Sequence, residues 1–293
     1  GNSTYNQDTD KGGALMGEST ARTIVSSLQS KMSGTVAGLA GKLNALSKIG
    51  ISTGQNGLLS VDSDKLSEAL SGGLDGVIDL FASEGGVATR ILEYVDDNDI
   101  DLVLMATRGR SGLRSGGPGG VAYKVVHGSK VPVWLVPAEL REEIVADSLA
   151  GRPLVIPLSG SKMAESAIPH ALNIAAQRGA ESEFVLVHVA EETSVAYTPE
   201  IVRDIQRKRA EMQAYLDGVA EGIRQAGYTV STELLSGDPA KSIIEYLLAN
   251  PPQLIVMATR GKSGISRMIF GSVTESVIQM IKKTPMLLVS GAE

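Results

Sequence analysis

Along residues 151–293 the apolar positions gather into five short runs: Leu154-Val-Ile-Pro-Leu158, Phe184-Val-Leu-Val187, Val230-Ser-Thr-Glu-Leu-Leu235, Leu254-Ile-Val-Met257 and Met286-Leu-Leu-Val289. Runs of this length that are apolar on both faces read as strands buried between two layers. Between them the spacing turns helical. Ile168, Ala171, Leu172 and Ala175 share one face before Gly179, and a second helix starts at Pro199 and runs to about Gly227. A third follows Gly237-Asp-Pro239, and a fourth follows Gly271-Ser272. Proline suits a first helical position because the N–H it lacks has no partner there anyway. The alternation predicts an α/β domain with a doubly wound, parallel five-stranded sheet and a ligand cleft at the carboxyl ends of its strands.

The pattern repeats upstream. Ile91-Leu-Glu-Tyr94 returns as Ile243-Ile-Glu-Tyr246, and Met105-Ala-Thr-Arg-Gly109 returns unchanged as Met257-Ala-Thr-Arg-Gly261, both at an offset of 152 residues. Val131-Pro-Val-Trp-Leu-Val136 matches Thr284-Pro-Met-Leu-Leu-Val289 after one inserted residue. Such an offset means two copies of a domain rather than a short-period solenoid. Upstream of Tyr94 the match ends, so the first copy lacks its opening strands. The expected organisation is an α+β segment over 1–86, a partial domain over 87–137, a charged helical linker over 138–152 and a complete domain over 153–293. In the first segment Ser19 or Thr20 caps a helix carrying Ile24, Val25, Leu28, Met32, Leu39 and Leu43. A hairpin of Gly50–Thr53 with Leu58–Val61 follows around Gly54-Gln-Asn-Gly57, then a helix from Ser63 with Leu66 and Leu70 inward, then Val77, Leu80 and Phe81.

Composition sharpens the division. All eleven prolines lie at or after Pro118, whereas residues 1–85 hold 14 glycines and 13 serines, so the two ends are built differently. The 293-residue chain has no cysteine, which excludes disulfides, thiolate nucleophiles and cysteine-ligated zinc. A net charge of −6 argues against a general nucleic-acid partner, and no apolar run approaches the ~20 residues of a membrane span. The first residue is Gly1 rather than Met, which reads as a fragment or a processed chain.

The candidate chemistry lies between the fourth strand and fourth helix, in Ala258-x2-Gly261-x9-Gly271-Ser272-Val273-Thr274. A glycine where the strand ends lets backbone approach a phosphate, and free N–H groups at Gly271 and Ser272 favour an anion. The hydroxyls of Ser272 and Thr274 add donors. The same spacing also serves an ordinary strand-to-helix turn. Other motifs fail on their own terms. Gly261-Lys-Ser263 has Val256 where a P-loop needs glycine. Asp97-Asn-Asp-Ile-Asp101 lacks the central glycine and terminal acid of a calcium loop and reads as a solvated turn. His188 ends a buried strand and reads as a packed or hydrogen-bonded histidine, while His127 and His170 sit singly on helices. Arg108, Arg110, Arg114, Arg260, Lys262 and Arg267 flank the two glycine loops, as phosphate-steering charges or as solvated faces.

On these residues 151–293 resemble a whole domain of the universal stress proteins, and ~87–137 resemble the last two strands and intervening helix of a second. The ATP-binding branch carries G-x2-G-x9-G-(S/T); this chain has Ala258 for the first glycine and keeps Gly261, Gly271 and Ser272. The resemblance implies ATP, with or without Mg²⁺, its triphosphate on Gly261, Gly271, Ser272, Val273 and Thr274 and its adenosine near Pro157, Val189 and Met257. Ser159 stands where the family often has aspartate, so that carboxylate is absent. In the partial copy the loop reads Gly116-Gly-Pro-Gly-Gly120, without the serine, which implies a structural role and a Val131–Val136 strand paired to Met286–Val289.

Residues ~1–95 resemble a different family, the flagellar filament-capping protein or hook-associated protein 2. The carrying features are Tyr5-Asn-Gln-Asp-Thr9, Leu15-Met-Gly-Glu-Ser-Thr20, Ile49-Gly-Ile51 and Gly57-Leu-Leu-Ser-Val-Asp62 with Lys65-Leu66 and Ala69-Leu70. In that family the region is scaffold and assembly surface, without catalytic residues. The chain thus reads as a chimera. Its expected function is a nucleotide-binding stress-response switch or scaffold with at most weak ATP hydrolysis, cytoplasmic and homo-oligomeric, with no nucleic-acid or membrane partner. The alternative is a structural assembly protein, exported if the capping-like segment dominates.

Overall fold

The computed structural model describes residues 5–6, 11–12, 19–36, 39, 43–54, 58–107, 120–146, 148–151, 153–178, 182–190, 198–259 and 271–290. They divide into two compact units, Gly1–Asp99 and Ile100–Glu293.

In the first unit β1 (Tyr5–Asn6) and β2 (Lys11–Gly12) form an antiparallel pair that the sequence pattern does not announce. Helix α1 (Ser19–Ser33) stops ten residues short of Leu43. Leu39 and Leu43 therefore lie beyond it, against expectation; the side chains of Ile24, Val25 and Leu28 fall outside the described part. Two features mark the end of the helix, one local and one distant in sequence. Gly34 follows Ser33, and Arg90 donates from Nη1 to the carbonyls of Lys31 (3.1 Å) and Gly34 (2.7 Å). A cation on the last carbonyls is where the helix dipole favours one. After a 3₁₀ turn at Leu46–Ile49 comes Gly50, at φ +80° with an added Cβ only 2.7 Å from the Asp62 carbonyl, so only glycine fits. The hairpin forms as expected from β3 (Ile51–Thr53) and β4 (Leu59–Val61), Ile51 opposite Val61; its turn at 55–57 lies outside the described residues.

Asp62 caps α2 (Ser63–Gly72), its carboxylate accepting from the Lys65 amide at 3.1 Å. On α2 it is Ala69 that is buried, while Leu70, expected inward, is 41% exposed. Val77 and Leu80 of α3 (Leu74–Ala82) are buried as the pattern requires. Helix α4 (Val87–Asp97) packs on α1 and α3. At its end Asp97 pairs with Lys31 at 2.6 Å, and Asn98–Asp99 turn in solvent, so the calcium-like motif runs from a helix end into a turn.

The second unit is built on one seven-stranded sheet. Its strands are β5 (Val103–Ala106), β6 (Val133–Val136), β7 (Leu154–Pro157), β8 (Glu183–Ala190), β9 (Thr229–Ser236), β10 (Leu254–Thr259) and β11 (Met286–Ser290). Its helices are α5 (Gly120–Gly128), α6 (Glu142–Val145), α7 (Lys162–Glu165), α8 (Ala167–Arg178), α9 (Pro199–Gln225), α10 (Pro239–Ala249) and α11 (Ser272–Met280). The order is β5-β6-β11-β10-β7-β8-β9. From β11 to β9 every pairing is parallel, giving the doubly wound five-stranded sheet read from the apolar runs. β5 and β6 are also parallel to each other, and β6 joins β11 antiparallel with Met286 opposite Leu135 and Leu288 opposite Val133. The partial copy thus completes the sheet through its last strand.

The core lies between the sheet and α8 and α9. Leu154, Ile156, Phe184, Leu186, Leu216, Ile223, Leu254 and Leu287 are sealed from solvent there. Thr198 and Asp238 cap α9 and α10, whose first residues are the two prolines that mark them in the sequence. The linker, expected as a charged helix, makes one helical turn, α6, because its charged residues offer no apolar stripe to bury. It is tied down by polar contacts instead: Arg141 Nη2 donates to the Pro252 carbonyl at 2.6 Å.

Candidate functional site

From β7 the chain crosses to β8 and β9 on one side, and β10 and β11 fill the other, so winding reverses between β7 and β10. A crevice opens outside the carboxyl ends of strands at such a point. Here it is a cavity of about 630 Å³. That volume lies within the ~300–1,000 Å³ range of small-molecule sites.

Each wall comes from the end of an element. β7 contributes Pro157, followed by Leu158 and Ser159; β8 contributes His188 and Val189; β10 contributes Met257 and Ala258. Gly271, Ser272, Val273 and Thr274 enter from the start of α11. Nine of the ten residues proposed from sequence therefore line one cavity; the tenth, Gly261, lies outside the described residues, as do Ser263, the six flanking basic residues and the 116–119 part of the partial copy's loop. Sequence reasoning did not assign to the site Leu158 and His188, Ser161, Met163 and Ala164 around α7, or Pro239 and Ile243 of α10. The signal for the α10 pair was the Gly237-Asp-Pro239 helix start, which implies an element beginning at the same end of the sheet.

The geometry of the β7 end is fixed by reciprocal bonds. Leu158 N–H donates to the Val187 carbonyl at 2.7 Å, and His188 Nδ1 lies 2.7 Å from the Leu158 carbonyl, to which it must donate. The buried, hydrogen-bonded histidine expected from sequence is thus what the fold contains. Past Leu158 the chain turns at Gly160, φ +83°, a left-handed conformation that favours glycine. Ser159 and Ser161 share a hydroxyl–hydroxyl bond of 2.9 Å, and Ser161 caps α7 by accepting from the Ala164 amide at 3.2 Å.

At α11 the cap residue Gly271 has no side chain to satisfy the first N–H groups, which leaves them available to an anion. The buried Thr274 hydroxyl, expected to meet a phosphate, donates to the Ala258 carbonyl at 3.3 Å and so ties the helix start to the β10 end. Ser272 is the exposed hydroxyl of the pair. Among the described lining residues none is a carboxylate or a permanent cation. Glu275, which follows Thr274, acts elsewhere: after burial, it is the second cause raising the Tyr123 hydroxyl above its ordinary value. Burial lowers His127 on the same helix α5, opposed by the Tyr123 carbonyl and Glu275. The cavity therefore offers an apolar floor of Pro157, Val189 and Met257 and a rim of hydroxyls and helix N–H groups. It suits a molecule with a flat apolar part and an anionic part. No group of three or more metal-ligating side chains occurs among the described residues.

Comparison with known proteins agrees with this architecture. Residues 151–290 match the universal stress protein family, and residues 1–108 match the flagellar hook-associated protein 2 C-terminus. A universal stress protein of Methanocaldococcus jannaschii is 32% identical over 133 residues, 44% of this chain and 76% of that protein. The flagellar hook-associated protein 2 of Escherichia coli K12 is 42% identical over 83 residues, 27% of this chain and only 17% of that protein. The crystal structure of a universal stress protein from Archaeoglobus fulgidus superposes with a TM-score of 0.51 at 24% identity, over 78% of this chain and 80% of that one, which shows the common fold. With a complete doubly wound domain, a matched family profile and a relative covered over most of its length, the chain belongs to the universal stress protein family.

Proposed function

We propose that the second unit binds an adenine nucleotide, ATP with or without Mg²⁺, in the cavity between β7, β8, β10 and α11, and that the chain acts as a cytoplasmic stress-response switch or scaffold through it. The observation that carries this reading is the convergence on one cavity of nine residues chosen from the sequence alone. In this account Pro157, Val189 and Met257 pack the base and ribose. Gly271, Ser272 and Val273, with Gly261, meet the phosphates, and Thr274 holds their helix in place. No carboxylate among the described lining residues is available to activate a water, so hydrolysis is weak at most.

Titration calorimetry with ATP and Mg²⁺, on the chain and on a Gly271→Asp variant, tests this. A carboxylate placed ~4 Å from a phosphate charge costs about 4 kcal/mol at an effective dielectric of 20. We expect the variant to lose at least a hundredfold in affinity. Equal binding by both proteins, or none by either at millimolar ATP, contradicts the proposal.

A second reading rests on the first unit. Leu58, Leu59, Val61, Leu70, Leu74 and Ile78 are all exposed there, which suits an assembly surface of the kind the hook-associated resemblance implies. A homo-oligomer is also favoured by β5, an edge strand without lysine or proline whose Leu104 is 65% exposed. Light scattering is expected to give a dimer or larger; a monomer at all concentrations rejects the oligomer.

A further inference from the structure

A nucleoside presents hydrogen-bond donors, an exocyclic amine and ribose hydroxyls, and a site that recognises it needs acceptors. Among its described side chains this cavity offers hydroxyls, which donate or accept, and one imidazole, but no charged acceptor. Its described lining has no carboxylate, and Ser159, at the position where a carboxylate was anticipated, is bonded to Ser161, itself engaged in capping α7. His188 is different. It is only 9% exposed, and its Nδ1 lies 2.7 Å from the Leu158 carbonyl. A carbonyl can only accept, so Nδ1 carries the proton and, in the neutral ring, Nε2 carries the lone pair. Nε2 has no partner among the described residues. His188 lines the cavity, as does the uncapped start of α11.

We infer that His188 Nε2 is the acceptor that recognises a donor hydrogen of the bound nucleoside, in place of the carboxylate that Ser159 does not supply. This rests on the nucleotide reading above and adds a specificity-determining residue to it. A largely buried ring nitrogen is costly to leave without a partner, and a ligand donor relieves that cost. The Leu158 bond does two things at once: it holds the β7 end and fixes the tautomer that makes Nε2 an acceptor.

The test separates recognition from support. In a His188→Asn variant the side-chain amide can still donate to Leu158 but no acceptor reaches the Nε2 position. The full chain and this variant are titrated with ATP, inosine triphosphate, 2′-deoxy-ATP and 3′-deoxy-ATP, with melting curves to check the fold. Loss of one neutral hydrogen bond predicts ATP binding weaker by about three- to tenfold in the variant. That penalty vanishes for the one analogue lacking the donor that Nε2 accepts. Equal binding by both proteins, or one common loss factor for all four nucleotides, reduces His188 to a support and overturns the inference while leaving the nucleotide site intact. If the unaltered chain binds none of them, the nucleotide reading falls and takes this inference with it. Should the variant fail to fold, imidazole ¹⁵N spectra of the unaltered chain decide, with only three histidines to assign. An Nε2 resonance of His188 that shifts at saturating ATP supports recognition, and one that stays put overturns it.

Discussion

The two copies of the repeat share Met-Ala-Thr-Arg-Gly without change, yet their strands live in different surroundings. In the complete copy β10 lies between β7 and β11, and Val256 is sealed at 0% exposure. In the partial copy β5 is a sheet edge, and Leu104, the equivalent of Val256, is 65% exposed. One tie survives in both: Thr259 donates to the Val289 carbonyl at 3.2 Å and Thr107 to the Val136 carbonyl at 3.5 Å. Another does not. Thr274 bonds the Ala258 carbonyl, whereas its equivalent is Ala122, which has no hydroxyl. The helices diverge too, since Arg90 of α4 clamps the end of α1 while its equivalent on α10, Ser242, bonds the Ser236 carbonyl at 3.0 Å. The glycine motif alone therefore does not account for the cavity of the complete copy. Two of the cavity's walls come from β7 and β8, which only the complete copy has.

That contrast can be broken at its core first. Ile156→Ala, at a fully buried position of β7, is expected to cost about 2–5 kcal/mol, whereas Leu104→Ala on the edge costs less than about 0.5 kcal/mol. Urea unfolding of both variants measures the difference; equal costs mean that the partial copy's strand is as well packed as its twin. The ligand side comes next. Gly271→Asp is expected to lower the proposed nucleotide affinity at least a hundredfold, while Gly120→Asp, at the start of α5 with open space around its Cβ position, is expected to leave it within about twofold. A comparable loss in both places a phosphate site in each copy.

Smaller effects sharpen the picture. Thr274→Val deprives the Ala258 carbonyl of its donor and should cost about 1 kcal/mol, with the converse Ala122→Thr giving no matching gain. An unchanged unfolding midpoint for Thr274→Val removes the tie from the account. The smallest effect is in pH. His127 in the partial copy and His170 in the complete one are both lowered from 6.5, in each case chiefly by burial. The unfolded chain then takes up protons that the folded chain resists, so stability is full above pH 6.5 and falls as pH drops through the lower folded values. The urea midpoint should decline from pH 7 to 5, and His127→Gln and His170→Gln should each flatten part of the decline. A midpoint that rises on acidification reverses the sign and rejects the burial argument.

The second unit was legible because its strands are apolar on both faces and its helices begin at Pro199 and Pro239, local signals that tertiary packing reinforces. The lining of its cavity was legible for the same reason: residues at strand ends in a doubly wound sheet meet at one crevice. What remained hidden depends on contacts distant in sequence. Leu39 and Leu43 continued a helical pattern that Gly34 and Arg90, 56 residues away, bring to an end. Leu70 has the right spacing for burial, but Ala69 occupies the contact instead. His188 was readable as a buried partner, but its free Nε2 is visible only once the Leu158 carbonyl has claimed Nδ1.

The most direct measurement is the stoichiometry of ATP binding to the full chain by titration calorimetry. One site per chain is the predicted result, because only the complete copy supplies all the walls of the cavity. Two sites per chain, or no binding at millimolar ATP, contradicts the account.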